Sequence, residues 1–307
     1  MDENYAIARY GQAAQLLPVR WHMSARRLPD WQKALAEELR LRVGQPATVL
    51  LPEGEMMLLQ EGLPMVVTQN DLEQLCDGVT GYSRYAAAET LRLGYLTADG
   101  GFRIGVCGTT VLQEGRCTNM RDFSSATIRI TRERKDLAQQ LLPDLLQNGQ
   151  ICSTLILSPP GLGKTTLLRD LIRQLSDGGP DLPAHRVAVA DERGEIAVMY
   201  QGRAQVDIGC HTDVMDGCPK ILALPMLLRA ANPQIIAVDE ITAREDLQVM
   251  AWCANCGVRL LATIHAGSIA ELQRKPLFSQ LLEMGVFEKC VTISCDGGVR
   301  HYEVCEV

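Results

Sequence analysis

Leu155-Ile156-Leu157-Ser158-Pro159-Pro160-Gly161-Leu162-Gly163-Lys164-Thr165-Thr166 joins an apolar run to a small-residue loop, and then to Gly-Lys-Thr at the start of a helical pattern. This order predicts a phosphate-binding loop. Glycines let backbone N–H groups turn inward around phosphates, the lysine reaches the β- and γ-phosphates, and the first threonine hydroxyl ligates Mg²⁺. A helix over Thr165–Leu175 adds its positive N-terminal end. Pro160, Gly161, Leu162, Gly163, Lys164, Thr165 and Thr166 are therefore the candidate nucleotide-binding residues. Ser158 stands where G-x-x-x-x-G-K-T has its first glycine.

Beyond this loop, strand and helix patterns alternate. Near-continuous apolar runs at Ser153–Leu157, Arg186–Ala190, Gln234–Val238 and Val258–Ile264 read as strands covered on both faces. Helices are expected at Lys164–Leu175, Pro219–Ala231 and Ala243–Cys256. The alternation predicts an α/β P-loop NTPase core of RecA/AAA-like type, with a mainly parallel sheet, over residues 150–307. Gly178–Pro183 reads as a surface loop.

Residues 1–149 mix shorter elements and predict a small α+β N-terminal domain. Leu35, Leu39 and Val43 recur at helical spacing along Trp31–Arg42. Short strands are expected at Ala47–Leu51, Met56–Leu59 and Met65–Val67, and Asp71 is placed to cap a helix over Leu72–Val79. Phe102–Gly108 followed by Thr109–Leu112 reads as a hairpin, and Ala126–Ile130 as a strand. A helix over Asp136–Leu146 then leads to a linker at Gln147–Gln150.

Three further segments carry chemistry. Ile235-Ile236-Ala237-Val238 delivers Asp239 and Glu240 to the C-terminal end of a strand, where α/β sheets bind ligands. Asp239 is placed to hold Mg²⁺ with Thr165, and Glu240 to polarise an attacking water. Leu260–Ala266 ends another strand in Thr263 and His265, placed to touch the γ-phosphate or the water. Ala190-Asp191-Glu192-Arg193-Gly194-Glu195 again puts acids after a strand, so Glu192 or Glu195 is a candidate for the metal or water network. The catalytic candidates are thus Glu240, Lys164, His265 and Glu192, with ATP and Mg²⁺ as the expected ligands.

The net charge of −7 argues against a dedicated nucleic-acid or anionic-membrane binder. The acidic start Met1-Asp2-Glu3-Asn4 lacks the apolar region of a signal peptide, and no apolar run approaches a membrane span. Eleven cysteines, an odd number without a framework, fit a reducing cytosol. Cys253 and Cys256 have zinc-knuckle spacing without a second pair, so packing is the expected role.

With these segments in order, the chain resembles the stage III sporulation protein AA family. That family is a branch of P-loop ATPases similar to the hexameric ATPases of type II and type IV secretion. Pro159–Asp170 resembles its extended phosphate loop, Asp191–Ala197 its acidic box, and Thr212–Lys220 a family signature. Arg229, Pro233 and Asp239-Glu240-Ile241 resemble its Walker B region, and Thr263–Ala266 its histidine box. Glu38–Pro46 and Gly101–Gly108 resemble N-domain segments. Departures are Ser158, Cys210-His211 and Thr242.

The resemblance implies a cytoplasmic motor, recruited to a membrane face on the mother-cell side during endospore formation. It implies membrane-protein partners of a channel complex and a hexameric ring, while the net charge and the lack of a long apolar run lead to the expectation of no nucleic acid and no membrane insertion. It also implies nucleotide sites completed by an arginine from a neighbouring domain or subunit, with Arg103, Arg121, Arg129 and Arg132 as candidates. Two rivals are a nucleic-acid-stimulated P-loop ATPase and a nucleotide-binding scaffold without turnover. Net charge, four phenylalanines and three tryptophans speak against the first, and Glu240 beside Asp239 against the second.

Overall fold

The computed structural model describes residues 3–81, 88–92, 94–113, 115–180, 182–297 and 299–307; Asp181 of the expected surface loop lies outside them. The chain forms two compact units. One comprises Met1–Arg132 with Tyr200–Gln205, the other Glu133–Met199 with Val206–Val307.

The first unit opens with helices α1 (Glu3–Gln15), α2 (Val19–Arg26) and α3 (Asp30–Leu35). Its antiparallel sheet contains β1 (Glu38–Arg42), β2 (Thr48–Leu51), β3 (Gly54–Met57), β4 (Tyr95–Ala98), β5 (Phe102–Gln113) and β6 (Arg116–Arg129), in the order β3-β2-β1-β6-β5-β4. Helices α4 (Gln69–Val79) and α5 (Ala88–Arg92) lie between β3 and β4 in the chain. Leu39, Leu41, Ile104 and Ile128 of the sheet share one core with Tyr10, Trp21, Leu72 and Leu75.

Four expectations for residues 1–149 are overturned. The helix expected over Trp31–Arg42 ends at Leu35, and Glu38–Arg42 is a strand. Leu39 and Leu41 are fully buried, while Arg40 and Arg42 pair with Glu55 on the other face. Period-two alternation with two cross-strand partners outweighs the helical spacing of Leu35, Leu39 and Val43. The hairpin expected near Gly108 is one long strand, β5, with a bulge between Cys107 and Thr109. A methyl group on Gly108 would lie 2.7 Å from the Arg121 carbonyl oxygen, so glycine there serves close strand approach, not a turn. The helix expected over Asp136–Leu146 shrinks to Leu142–Leu145. Met65–Val67 forms only isolated bridges, to Val43 and Pro46.

The boundary also lies earlier than the expected linker. The buried Asp170 carboxylate accepts the N–H groups of Asp136 (3.1 Å) and Ala138 (2.8 Å), while Leu142, Leu145 and Ile151 join the core of the second unit. Residues 133–151 therefore belong with the nucleotide-type sheet.

That sheet contains β7 (Thr154–Ser158), β8 (Val187–Asp191), β9 (Thr212–Asp216), β10 (Ile235–Val238), β11 (Arg259–His265), β12 (Lys289–Asp296) and β13 (Val299–Glu306). Its order is β9-β8-β10-β11-β7-β12-β13, parallel except for the terminal β12–β13 pair. Helices α6 (Lys164–Asp177), α7 (Lys220–Ala231), α8 (Arg244–Asn255), α9 (Ile269–Arg274) and α10 (Pro276–Glu283) belong to the same unit. Strands β7, β8 and β10 are buried along their whole length, which accounts for their unbroken apolar sequence. Two cores form: α6 shares one with Ile156, Val189 and Ala237, and α7 and α8 share the other with Leu155, Ala188 and Ile236. Side chains that alternate along each strand thus bury opposite faces.

Candidate functional site

One strand, β11, separates the phosphate loop from the Asp239-Glu240 strand. It pairs with β7 so that His265 lies opposite Ser158, and with β10 so that Ala262 lies opposite Val238. The residues just past β10 therefore meet Thr263, and those just past β7 meet His265.

The loop itself turns on Gly161 (φ +81°) and Gly163 (φ +98°), both in the left-handed region where a side chain would be strained. Gly163 precedes α6 directly, so the first free N–H groups of the helix open onto the loop. Ser158, by contrast, is a buried strand end without positive φ, and no glycine is needed there. Its hydroxyl donates to the Pro159 carbonyl at 2.8 Å, and its own carbonyl accepts from Lys164.

Lys164 is only 6% exposed. Its ammonium donates to the Ser158 carbonyl at 3.0 Å and the Pro159 carbonyl at 3.3 Å, and lies 2.8 Å from His265 Nδ1. Burial lowers its pKa, against the opposing pull of Asp239 and Glu240. Because an ammonium has only donors, His265 Nδ1 must be the bare acceptor. The proton then sits on Nε2, which lies 2.8 Å from Glu240 Oε1 and donates to it. One neutral imidazole thus links lysine to glutamate.

Asp239 is held by two hydroxyls. Thr165 Oγ1 donates to Oδ2 at 2.7 Å, and Thr263 Oγ1 donates to Oδ1. Thr263 Oγ1 in turn accepts the Glu240 N–H at 2.8 Å. Glu240 has φ +50°, a conformation worth roughly 1–3 kcal/mol of strain that the Thr263 bond and the His265 and Arg193 contacts hold in place. Among the described residues no group of three or more His, Cys, Asp or Glu converges on one point. The hydroxyl–carboxylate pair Thr165–Asp239 suits Mg²⁺, which takes one or two protein oxygens and fills its other positions with water and phosphate.

The acidic box divides in two. Asp191 is buried and accepts the N–H groups of Glu195 (2.8 Å), Ile196 (3.1 Å) and Ala197 (2.8 Å), which makes it a brace for the turn. Glu192, expected in the metal or water network, pairs with the buried Lys220 at 2.5 Å. The partner from this box that does reach Glu240 is Arg193, which the sequence reading had not singled out. Its position two residues beyond a strand end, at the same sheet edge as Asp239, was the available signal.

The candidate arginines of the first unit differ in how they are used. Arg132 donates to the Ala36 carbonyl at 2.5 Å, and burial lowers its pKa. Arg103 lies 3.9 Å over the Tyr95 ring, and Arg129 is 3.7 Å from Glu38. Arg121 is largely exposed, 3.5 Å from Asp122. Cys253 is fully buried, and desolvation pushes its thiol up to about 12. Among the described residues no helix is long and apolar enough to cross a membrane.

Residues 12–302 match the family described as "Sporulation stage III, protein AA". Stage III sporulation protein AA of Bacillus subtilis is 34% identical over 283 residues, 92% of this chain and 90% of that one. A shorter stretch of 153 residues is 30% identical to the protein SEEDLING PLASTID DEVELOPMENT 1 of Arabidopsis thaliana, covering 47% of this chain and 20% of the other. Among solved structures, the Legionella pneumophila ATPase DotB superposes with a TM-score of 0.57 at 17% identity, over 88% of this chain and 76% of that one. The pilus retraction motor PilT with bound ADP superposes with a TM-score of 0.60 at 17% identity, over 88% and 79%. That likeness is one of fold, the P-loop fold of secretion ATPases. By sequence, the chain belongs to the sporulation stage III protein AA family.

Proposed function

We propose that this chain is a Mg²⁺-dependent ATPase of the secretion-motor type, working on the cytoplasmic face of a membrane in a channel complex between mother cell and forespore. The observation that supports it best is the continuous network Lys164–His265–Glu240, joined through Thr263 to Asp239 and Thr165. A phosphate-binding lysine, a metal-ligand pair and a water-orienting acid meet at one sheet edge, as phosphoryl transfer to water requires.

In this reading Lys164 and the N–H groups after Gly161 bind phosphates, with Pro160, Leu162 and Thr166 shaping the loop. Thr165 and Asp239 hold Mg²⁺, which supplies positive charge to the phosphate oxygens. Glu240 orients the attacking water and takes its proton. Phosphates compete with His265 for Lys164, so His265 moves with nucleotide state and passes that state to Glu240. The relatives' motor architecture adds a homo-oligomeric ring, a hexamer, with membrane proteins of the sporulation channel as partners. Arg103, Arg121 or Arg129 is the group supplied across subunits, since Arg132 is already spent on backbone carbonyls.

The test is phosphate release from Mg-ATP at increasing protein concentration, with mass measured with and without nucleotide. Turnover that rises with concentration, and falls to background in Lys164→Ala, supports the reading. Nucleotide binding without turnover would favour an assembly scaffold, and a fully active dilute monomer would sink the shared-site ring.

A further inference from the structure

The terminal hairpin brings an arginine to the phosphate loop that no motif names. Strand β12 pairs in parallel with β7, and β13 folds back on β12 with Arg300 opposite Cys295. That register places Arg300 beside Gly163, the residue just before Lys164. A methyl group built on Gly163 would lie 3.9 Å from both Nε and Cζ of Arg300. Because Gly163 has no side chain, nothing of its own stands between the guanidinium and the loop.

We propose that Arg300 is a phosphate-binding residue for the nucleotide, supplied in cis from the β12–β13 hairpin; this rests on the nucleotide-binding reading given above. The other cations around the site have partners. Lys164 donates to two carbonyls and His265, Arg193 pairs with Glu240, and Arg169 donates to the carbonyls of Glu195 and Ile196. Arg300 is half-buried, and among the described residues its side chain makes no hydrogen bond or ion pair. Two carboxylates, Asp239 and Glu240, already face the loop's lysine. A bound polyphosphate adds several more negative charges, and a permanently charged planar guanidinium is the group best suited to answer them with paired donors. Arg300 thus favours nucleotides with at least two phosphates. It acts within one chain, unlike the arginine expected from a neighbouring subunit.

Displacement of a fluorescent ADP analogue tests this, with ADP and AMP as competitors, in the full chain and in Arg300→Ala, Arg300→Lys and Lys164→Ala. Arg300→Ala weakens ADP binding about tenfold or more, as expected for lost charge-assisted bonds. Arg300→Lys recovers part of the loss, AMP binding changes far less, and the effect does not depend on protein concentration. Wild-type-like ADP affinity in Arg300→Ala, alongside loss in Lys164→Ala, overturns the proposal and leaves the nucleotide site standing. Equal losses for ADP and AMP overturn the phosphate contact. A wild-type chain that binds no nucleotide removes both.

Discussion

Lys164 and His265, 101 residues apart in the chain, meet with Nζ 2.8 Å from Nδ1. The contact fixes the imidazole tautomer, so Nε2–H points at Glu240. One ring therefore joins the lysine proposed to bind phosphate to the glutamate proposed to orient water. In His265→Ala, Lys164 loses a competitor for phosphate while Glu240 loses a hydrogen bond. The expected result is ADP affinity no lower than wild type, with turnover reduced about 10-fold to 100-fold. Binding titrations beside phosphate release check this, and parallel loss of both would refute it.

Glu240→Gln keeps the shape and the Thr263 bond to the backbone but removes the base. Nucleotide binding is expected to persist while turnover falls by roughly 10²–10⁴. Unchanged turnover would move the water-orienting role to another residue.

Thr263 is fully buried, and its hydroxyl serves Asp239 and Glu240 at once. Thr263→Val keeps the volume and orphans the Glu240 N–H, at a cost of about 1–3 kcal/mol. Denaturant unfolding reads that cost, and the variant should also need more Mg²⁺ for half-maximal turnover because Asp239 is no longer aimed by a second hydroxyl. An unchanged unfolding midpoint would show that the buried N–H finds another partner.

Asp216 is the cross-strand register partner of Asp191. Desolvation first, then the Asp191 charge, push its carboxyl up to about 6. An acid raised in the folded state binds protons more tightly there than in the unfolded chain. Its contribution to stability is therefore lost as pH rises from about 4 to about 6. Because Asp216 is substantially exposed, solvent keeps the effect below about 1 kcal/mol. Asp216→Asn should flatten the melting temperature between those pH values and raise it slightly at neutral pH. A thermal melt series checks this, and an unaltered slope would mean that Asp216 titrates normally.

Much of the second unit could be read directly from its residues. Fully buried parallel strands must be apolar along their length, so β7, β8, β10 and β11 announced themselves to within a few residues, as did α6, α7 and α8. The terminal hairpin and β9 were not legible. Their residues alternate or stay half-exposed, and pairing at a sheet edge depends on neighbours distant in the chain. In the first unit, Glu38–Arg42 carried both a helical and a strand period, and pairing with β2 on one side and β6 on the other settled which would hold.

By itself the sequence marked most of the candidate groups for chemistry. Glycines with positive φ, a lysine at a helix start, and acids, threonine and histidine at strand ends are local requirements of phosphate chemistry, and local requirements leave local marks. The tertiary structure alone decided who meets whom. The order β10-β11-β7 sets Thr263 against Asp239 and His265 against Lys164, the β8–β9 pair brings Glu192 to Lys220, and the β12–β13 hairpin beside β7 carries Arg300 to Gly163. Strand order costs nothing visible in any one strand, because each buries the same apolar faces whichever neighbour it takes. It is fixed by the packing of the whole sheet.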